Sequence, residues 1–541
     1  MSVQVLIVGA GPTGLALACQ CLRLGLSVRI IDKKAGRSET SKAIGLQYRV
    51  SEILACMGVV NGFLRRSGSP TTVNIYADSR KLVSLQFRAD GHASGKGAFA
   101  PRPLMIAQSE TEELLLDAVR ERGGRIEWST ELTDLAQSSN EVTASVRLPS
   151  GSQETITCEW LASCEGAHSI TRRAAGIEFS GKTYPLSFLM ADVELHGHVA
   201  PAENHVWLHR DGSFAALPFP QRDRWRLFVE ITRQPHRASG SADLDEIRQL
   251  MRERTGNARL SISHPSWISP FSINCRMVER YRVGRLLLAG DAAHIHSPTG
   301  GQGIATGIQD AVNLAWKLAR VIAGAPIELL DTYEEERRSH AREVLRETDR
   351  TTTIFFAPTL LTRLLRDWIV LPLLRSAWIQ RRMFAKLSQL HVHYRNSSLS
   401  VGHRPFWRLH TGLRPGDRAP DLLLQGDRQS SLFELLRRGR PVMLIGPGTA
   451  ARRRIRAVID IAQRASVDAW IITDSRNTEW KGDSKALVDV HNELQRIYGL
   501  RGQFLCLVRP DDHIGLLQSP IDEPKLRQFL RKIAANEFLE G

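Results

Sequence analysis

The start of the chain leaves little choice of fold. Val3 to Val8 has the length and apolar character of a buried strand, and it runs directly into Gly9, Ala10, Gly11, Pro12, Thr13 and Gly14. A strand that enters G-x-G-x-x-G and then a helix opens a βαβ dinucleotide-binding unit, because each glycine answers a separate demand. Gly9 permits the tight turn, Gly11 lets a pyrophosphate approach the backbone, and Gly14 lets the helix pack on the strand. Pro12, at the start of that helix, gives up no hydrogen bond the helix needs. A second strand, Val28 to Ile31, ends in Asp32 and Lys33, about twenty residues on, where a carboxylate accepts from ribose hydroxyls. Such a site holds NAD or FAD, and the motif alone does not choose between them.

A second constellation spans Gly284 to Ala319. Leu286 to Ala289 form a short apolar run suited to a buried strand, and Gly290 allows a sharp turn from which Asp291 projects. The loop Pro298, Thr299, Gly300, Gly301, Gln302, Gly303 removes side chains where backbone amides must approach a ligand. A helix opening near Gly303, followed by Ile304, brings its positive dipole end to the same place. This arrangement suits a polarised or anionic ring.

The Gly284 to Ala319 segment resembles the second flavin motif of the FAD-dependent aromatic hydroxylases, the single-component flavoprotein monooxygenases related to p-hydroxybenzoate and phenol hydroxylase. The resemblance implies FAD, with Asp291 on the ribityl chain and Pro298 to Gly303 under the pyrimidine edge. The chain departs from the family at Ile304 and Ala305, where Met and Asn are usual. Ser41 to Arg49, SKAIGLQYR, resembles the family segment beside the cofactor, with Lys42 in place of an arginine and Arg49 matching a second one. Gln108 resembles the glutamine that leads a flavin-side helix. Ala162 to Arg173 resembles the middle motif that serves FAD and nicotinamide, with Glu165 and Gly166 where the family has Asp-Gly. Arg172 there meets a nicotinamide cofactor phosphate or caps a helix. Arg276 matches a family arginine that orients substrate or holds domains together. Arg49, Arg276 and Pro298 are the candidate catalytic residues.

The expected architecture is α/β. It comprises a Rossmann-like FAD-binding domain in two parts (1–178 and 276–411), an inserted antiparallel-sheet substrate domain (179–275), and a thioredoxin-like domain (412–541) lacking CxxC. Segments near Leu132 to Ala136, Val142 to Leu148 and Thr155 to Ala162 alternate as a small antiparallel sheet. In the substrate domain, strands are expected at Leu189 to Leu195, His205 to His209, Phe214 to Pro218 and Trp225 to Ile231. Trp207, Phe214, Phe219 and Trp225 are candidate substrate contacts, although aromatics on alternating strand positions are more often core. Beyond Pro420 the expected order is strand Val442 to Ile445, helix Arg452 to Ala465, strand Ala469 to Thr473, helix Ser484 to Tyr498, strand Phe504 to Val508 and helix Glu523 to Ala535.

At 541 residues the chain exceeds one core, and roughly two to four domains are expected. Its net charge of +15 favours anionic cofactors. Nucleic-acid binding would call for zinc spacing, an RNA-recognition signature or a basic-aromatic stripe, and the sequence has none. The cysteines form no CxxC and lie in apolar patterns, so reduced thiols and a cytoplasmic location are expected. His294 and His296 follow Asp291, but the flavin motif accounts for their positions, and no metal is expected. Ile354 to Trp378 is apolar yet broken by Arg363, Arg366, Asp367, Arg375 and two prolines. A packed helical segment is expected there rather than stable membrane insertion, with an interfacial contact as the alternative.

The resemblance implies that NADPH or NADH reduces FAD and that a flavin C4a-hydroperoxide transfers one oxygen atom to a phenolic or polycyclic aromatic substrate. The expected partners are therefore a small aromatic molecule and molecular oxygen; a homodimer is compatible with this reading. A halogenase would carry WxWxIP and a disulfide reductase paired cysteines; both are missing. A Baeyer-Villiger or dehydrogenating flavoenzyme, or a non-catalytic flavin-binding protein, remains the alternative on the same fold.

Overall fold

The computed structural model describes residues 3–38, 43–69, 72–77, 80–86, 98–197, 199–200, 202–221, 223–232, 243–297, 301–356, 359–403, 412–426, 429–473, 480 and 482–535. Its architecture is mixed α/β, built on three large sheets. In the first, Val3–Val8 lies between Val28–Asp32 and Gln153–Ser163, parallel to both, and Leu286–Leu288 continues the parallel order beyond Gln153–Ser163. Strands covered on both faces read as apolar runs, and Val5, Leu6 and Ile7 are fully buried. The three segments expected to pair antiparallel do so, as an extension of this sheet. Glu131–Gln137 and Val142–Arg147 hang from Gln153–Ser163, whose carboxyl half pairs with Val3–Val8.

The second sheet runs, in spatial order, His294–Ile295, Ser261–Val278, Phe179–His196, Arg224–Glu230, Phe214–Pro218, Asn204–Leu208, Thr72–Ala77 and Arg80–Gln86. It therefore takes in a hairpin at 72–86 and a strand at 294–295 from outside the 179–275 segment. The helix Leu244–Thr255 covers one of its faces through Ile247, Leu250 and Met251. On the other face Phe188 stacks on Phe271 at 5.2 Å and meets Phe356, of the helix Asp331–Phe356, edge-on at 5.2 Å.

The third sheet has Val442–Pro447 near its centre, between Asp468–Thr473 and Gln503–Val508. The helix expected over Ser484 to Tyr498 does not form. Ala486–Val488 is drawn into the sheet beside Ile471–Thr473, and Asn492 takes a left-handed φ of 52°. Only the short helix Glu493–Arg496 follows, its opening amides at Glu493 and Leu494 capped by the Asp489 carboxylate at 2.9 Å each. Ile514–Gln518 is a strand the sequence reading did not assign.

A helical strap, Leu360–Leu365, Arg366–Val370, Leu371–Leu373 and Ala377–Leu387, lies across the second sheet. Leu371 and Leu374 pack on Ile75, Val83 and Leu85. The expected packed segment is thus packed on one side only, since Leu361 and Trp368 are about three-quarters exposed at 76% and 77%. Among the described residues no helix is long and apolar enough to cross a membrane.

Candidate active site and cofactor cradle

Two glycine motifs far apart in the chain meet at one point. Gly9 has φ +102°, and a Cβ there would sit 2.4 Å from the Cys164 carbonyl oxygen; one on Gly14 would sit 1.9 Å from the Gly9 oxygen. Backbone therefore packs on backbone, which only glycine allows. A Cβ on Gly11, by contrast, would meet nothing within 4 Å, so the backbone there borders open space. Gly166, φ +77°, likewise opens outward. Asp32 is buried and held in one orientation: the Ala10 amide donates to Oδ2 at 2.7 Å and the Lys34 amide to Oδ1 at 2.9 Å. Lys33 beside it is exposed. Gly290, φ +61°, and Gly307 close on the Thr13 hydroxyl, which would lie 2.5 Å and 2.2 Å from their Cβ atoms. Thr13 is the wedge that joins the two motifs.

Behind this turn sits a buried carboxylate. Asp310 accepts from the Gly290 amide at 3.0 Å, His294 Nε2 at 2.8 Å and Arg337 Nε at 2.7 Å. Burial acts to raise its pKa, but the Arg337 guanidinium and His294 outweigh it and hold Asp310 at about 2. Arg337 in turn donates to the Thr306 carbonyl at 3.1 Å and to Tyr394 Oη at 2.8 Å. Arg172 fastens the same turn from the other side, donating to Ala292 O at 3.1 Å and Ala167 O at 2.7 Å. With the turn held, Asp291 is exposed at the strand's end.

The helix Gly303–Ile322 begins directly after the glycine loop. Gly301 has φ +61°, Gln302 is buried, and Gly303 and Ile304 are half-buried. Gln302 Oε1 accepts from Gln389 at 3.1 Å, and Gln389 accepts from Gln309 at 2.8 Å, so the strap's end braces the helix start. His296 lies against the same start, its Cε1 3.9 Å from where a Cβ on Gly303 would be. Burial pushes His296 down to about 4, so its ring is neutral at ordinary pH. The open space at Gly11, the braced Asp32 and a helix N-terminus that follows glycines in sequence fit a dinucleotide that carries a polar ring system.

Comparison with known proteins agrees. The FAD binding domain family matches residues 2–348. The chain belongs to the FAD-dependent aromatic hydroxylases. It is 34% identical over 443 residues to a flavin-dependent monooxygenase of Mycobacteroides abscessus, covering 80% of this chain and 86% of the relative. It is also 34% identical over 455 residues to the 12-dehydrotetracycline 5-monooxygenase/anhydrotetracycline 6-monooxygenase of Streptomyces rimosus, covering 81% and 85%. Among solved structures, an anhydrotetracycline hydroxylase from Streptomyces rimosus superimposes with a TM-score of 0.77 at 30% identity, over 99% of both chains. The protein is an FAD-dependent monooxygenase, with NAD(P)H as the family's usual reductant.

Several side chains of the monooxygenase stand elsewhere than the sequence suggested. The Glu165 carboxylate accepts from Ser163 Oγ at 2.7 Å, Ser169 Oγ at 2.8 Å, the Ile170 amide at 2.9 Å and the Thr171 amide at 3.1 Å. The longer side chain reaches back to cap the opening amides of the helix Ile170–Ala174. Arg49 is 1% exposed and engaged by Asp512, with Nη1 to Oδ2 at 2.7 Å, and by Glu52 at 3.2 Å. A buried guanidinium ion-paired to two carboxylates is placed for a structural role, tying the helix Tyr48–Met57 to Asp512. Trp207, Phe214 and Trp225 are 4%, 0% and 2% exposed and lie on the sheet face under the helix Leu244–Thr255. Phe219 is half-buried, 5.4 Å from the Arg226 guanidinium above its ring. Arg276 is half-buried and donates to Phe179 O at 3.4 Å and Thr183 Oγ1 at 3.3 Å, opposite Ile295 in the sheet. Gln108 opens the helix Gln108–Glu121 and donates to Glu112 at 2.8 Å. Lys42, Pro298, Thr299 and Gly300 lie outside the described residues.

The monooxygenase also contains a buried ionic cluster that no motif announced. Glu336 accepts from Asn313 at 2.7 Å, Lys317 at 2.8 Å, Ser397 at 2.7 Å and Arg509 at 2.6 Å. It ties the helix Gly303–Ile322 to the third sheet's Arg509 turn. Charge pairing across as many as 173 residues leaves no local signal.

Proposed function

We propose that this monooxygenase hydroxylates a phenolic or polycyclic aromatic substrate held between the glycine loop and the sheet face that carries Phe188, Phe228 and Phe271. One observation supports this reading above others. Thr352 donates to Ser297, directly before the glycine loop, at 2.9 Å, and Phe356 of the same helix packs on Phe188. A single helix thus joins the loop to an aromatic sheet face, where Phe228 also meets Phe271 edge-on at 6.2 Å. Flat aromatic ligands gain from such offset and edge contacts.

In this reading Gly9, Gly11, Pro12, Thr13, Gly14, Asp32 and Lys33 hold the adenosine and pyrophosphate part of FAD, with Lys42 adding charge. Gly290 and Asp291 take the ribityl chain; Gly166 and Gln108 border it. Pro298, Gly300, Gly301, Gln302, Gly303 and Ile304 border the ring. Bound FAD supplies the redox and oxygen-activating chemistry, drawing electrons from NADPH or NADH. The chain's part is electrostatic and steric. The N-terminus of Gly303–Ile322 offers amides and a positive dipole to negative charge at the ring's edge. The Gln302–Gln389–Gln309 relay keeps that end from shifting, and Arg276 ties the strands Ser261–Val278 and Phe179–His196 together. Residues 412–541 act as a thioredoxin-like packing domain, joined through Arg509 and Asp512. The cytoplasm is the proposed compartment, in keeping with seven free cysteines.

The test is NAD(P)H oxidation by FAD-loaded protein across a panel of phenols and polycyclic aromatics, with products weighed by mass spectrometry. The reading expects stimulation together with a product one oxygen heavier. FAD binding with no stimulation by any panel member would overturn the substrate class.

A further inference from the structure

The outward side of the helical strap carries a stripe that a globular protein normally hides. Leu361, Leu364, Leu365, Trp368 and Ile369 recur at three- and four-residue intervals, which places them on one side of a helix. They are 76%, 47%, 52%, 77% and 50% exposed. Trp378, in the next helix, is 62% exposed. Core packing does not account for them, because Leu371 and Leu374 fill that role on the inner side against Ile75 and Val83. A contiguous apolar surface of this kind marks a contact with something else.

Charge selects the partner. Arg375, Arg381 and Arg382 are all exposed along the strap, and the Arg382 guanidinium lies 5.6 Å above the Trp378 ring; Lys386 is also exposed but is paired with Glu347. Arg375 donates to Leu82 O at 3.0 Å, which brings the exposed Arg80 and Lys81 of the neighbouring strand to the same rim. From 359 to 390 the one acidic residue is Asp367, and it is paired with Arg366 at 2.7 Å. A second copy docking through the same patch would set these cations against one another across an apolar centre. Exposed leucines and tryptophans with a cationic rim instead match the boundary of a negatively charged bilayer, where rings sit among headgroups and arginines meet phosphate. We propose that the strap is a reversible docking surface for an anionic phospholipid membrane. The inner side of the strap touches Val206 and Ile75 of the second sheet, so docking would set that sheet close to the lipid.

Sedimentation of the full-length, FAD-loaded protein with vesicles tests this. Vesicles of equimolar phosphatidylglycerol and phosphatidylcholine are expected to carry the protein down, and vesicles of phosphatidylcholine alone to leave most of it in solution. Leu361→Ser with Trp368→Ser, and separately Arg381→Glu with Arg382→Glu, should each weaken binding by roughly tenfold or more, as should raised salt. All four positions are exposed or outward-facing, and retained FAD absorbance with an unchanged melting temperature verifies folding. No sedimentation with the anionic vesicles, or equal sedimentation of wild type and both variants, would overturn the proposal. So would concentration-dependent dimerisation that the Leu361→Ser/Trp368→Ser variant abolishes, since the patch would then be a self-association surface.

Discussion

Replacing Gly290 by alanine should strike the junction of the two glycine motifs, and the geometry sets the size of the effect. Gly290 has φ +61°, a left-handed conformation that costs an ordinary residue about 1–2 kcal/mol. Its new Cβ would fall 2.5 Å from Thr13 Oγ1 and 3.1 Å from Thr13 Cβ, and overpacking of that kind costs about 1–3 kcal/mol. The Thr13 hydroxyl has no room to retreat, since Gly307 already closes on it from the other side. The total of about 2–5 kcal/mol corresponds to a loss of FAD affinity between roughly thirtyfold and several thousandfold. Titration of apoprotein with FAD, followed by flavin fluorescence, reads it. Thr13→Ala should restore the overpacking share in the Gly290→Ala background but not the backbone share, so the double-mutant cycle should show a coupling of about 1–3 kcal/mol. Wild-type FAD affinity in Gly290→Ala, or additive effects of the two changes, would refute the wedge.

Glu165→Gln should lower the melting temperature, in line with a lost cap of about 1 kcal/mol, while leaving the KM for NAD(P)H unchanged; a raised KM would return Glu165 to the cofactor. Trp207→Ala should cost about 3–5 kcal/mol of stability as a core deletion. Phe228→Ala, half-buried on the opposite face, should chiefly raise the KM for the aromatic substrate; exchanged phenotypes would mean the faces have been assigned the wrong way round. Burial holds His513 at about 4, below its ordinary 6.5. The unfolded chain therefore takes up that proton first, and stability present above pH 6.5 is lost as pH falls toward 4, by about 3 kcal/mol. His513→Phe should flatten the acid side of a melting-temperature profile, and an unchanged slope would contradict the assignment.

The cofactor half of this protein was legible because its signals are local. Val3–Val8 with Gly9, Gly11 and Gly14, and Leu286–Leu288 with Gly290, each carry strand, turn and helix start within a few residues. The sheet faces were not legible. Arg224–Glu230 alternates Trp225, Leu227 and Val229 against Arg226 and Phe228, so both faces carry apolar bulk. The choice between them is made by the helix Leu244–Thr255, whose docking leaves no trace in the strand itself. Over 484–498 the apolar spacing suggested a helix, and the pairing of Ala486–Val488 with Ile471–Thr473 overrode it. Arg49 resembled a family cation; its partner Asp512 belongs to a segment no motif could connect to it. A helical segment was expected over Ile354 to Trp378, but apolar composition does not say which way a helix turns.

The most direct test of oxygen transfer is a reaction run under heavy-isotope dioxygen in ordinary water, using whichever aromatic compound best stimulates NAD(P)H oxidation. Incorporation of one labelled oxygen atom into the aromatic product is the expected result. Oxidation of NAD(P)H that yields only hydrogen peroxide, or a product whose new oxygen comes from water, would contradict it.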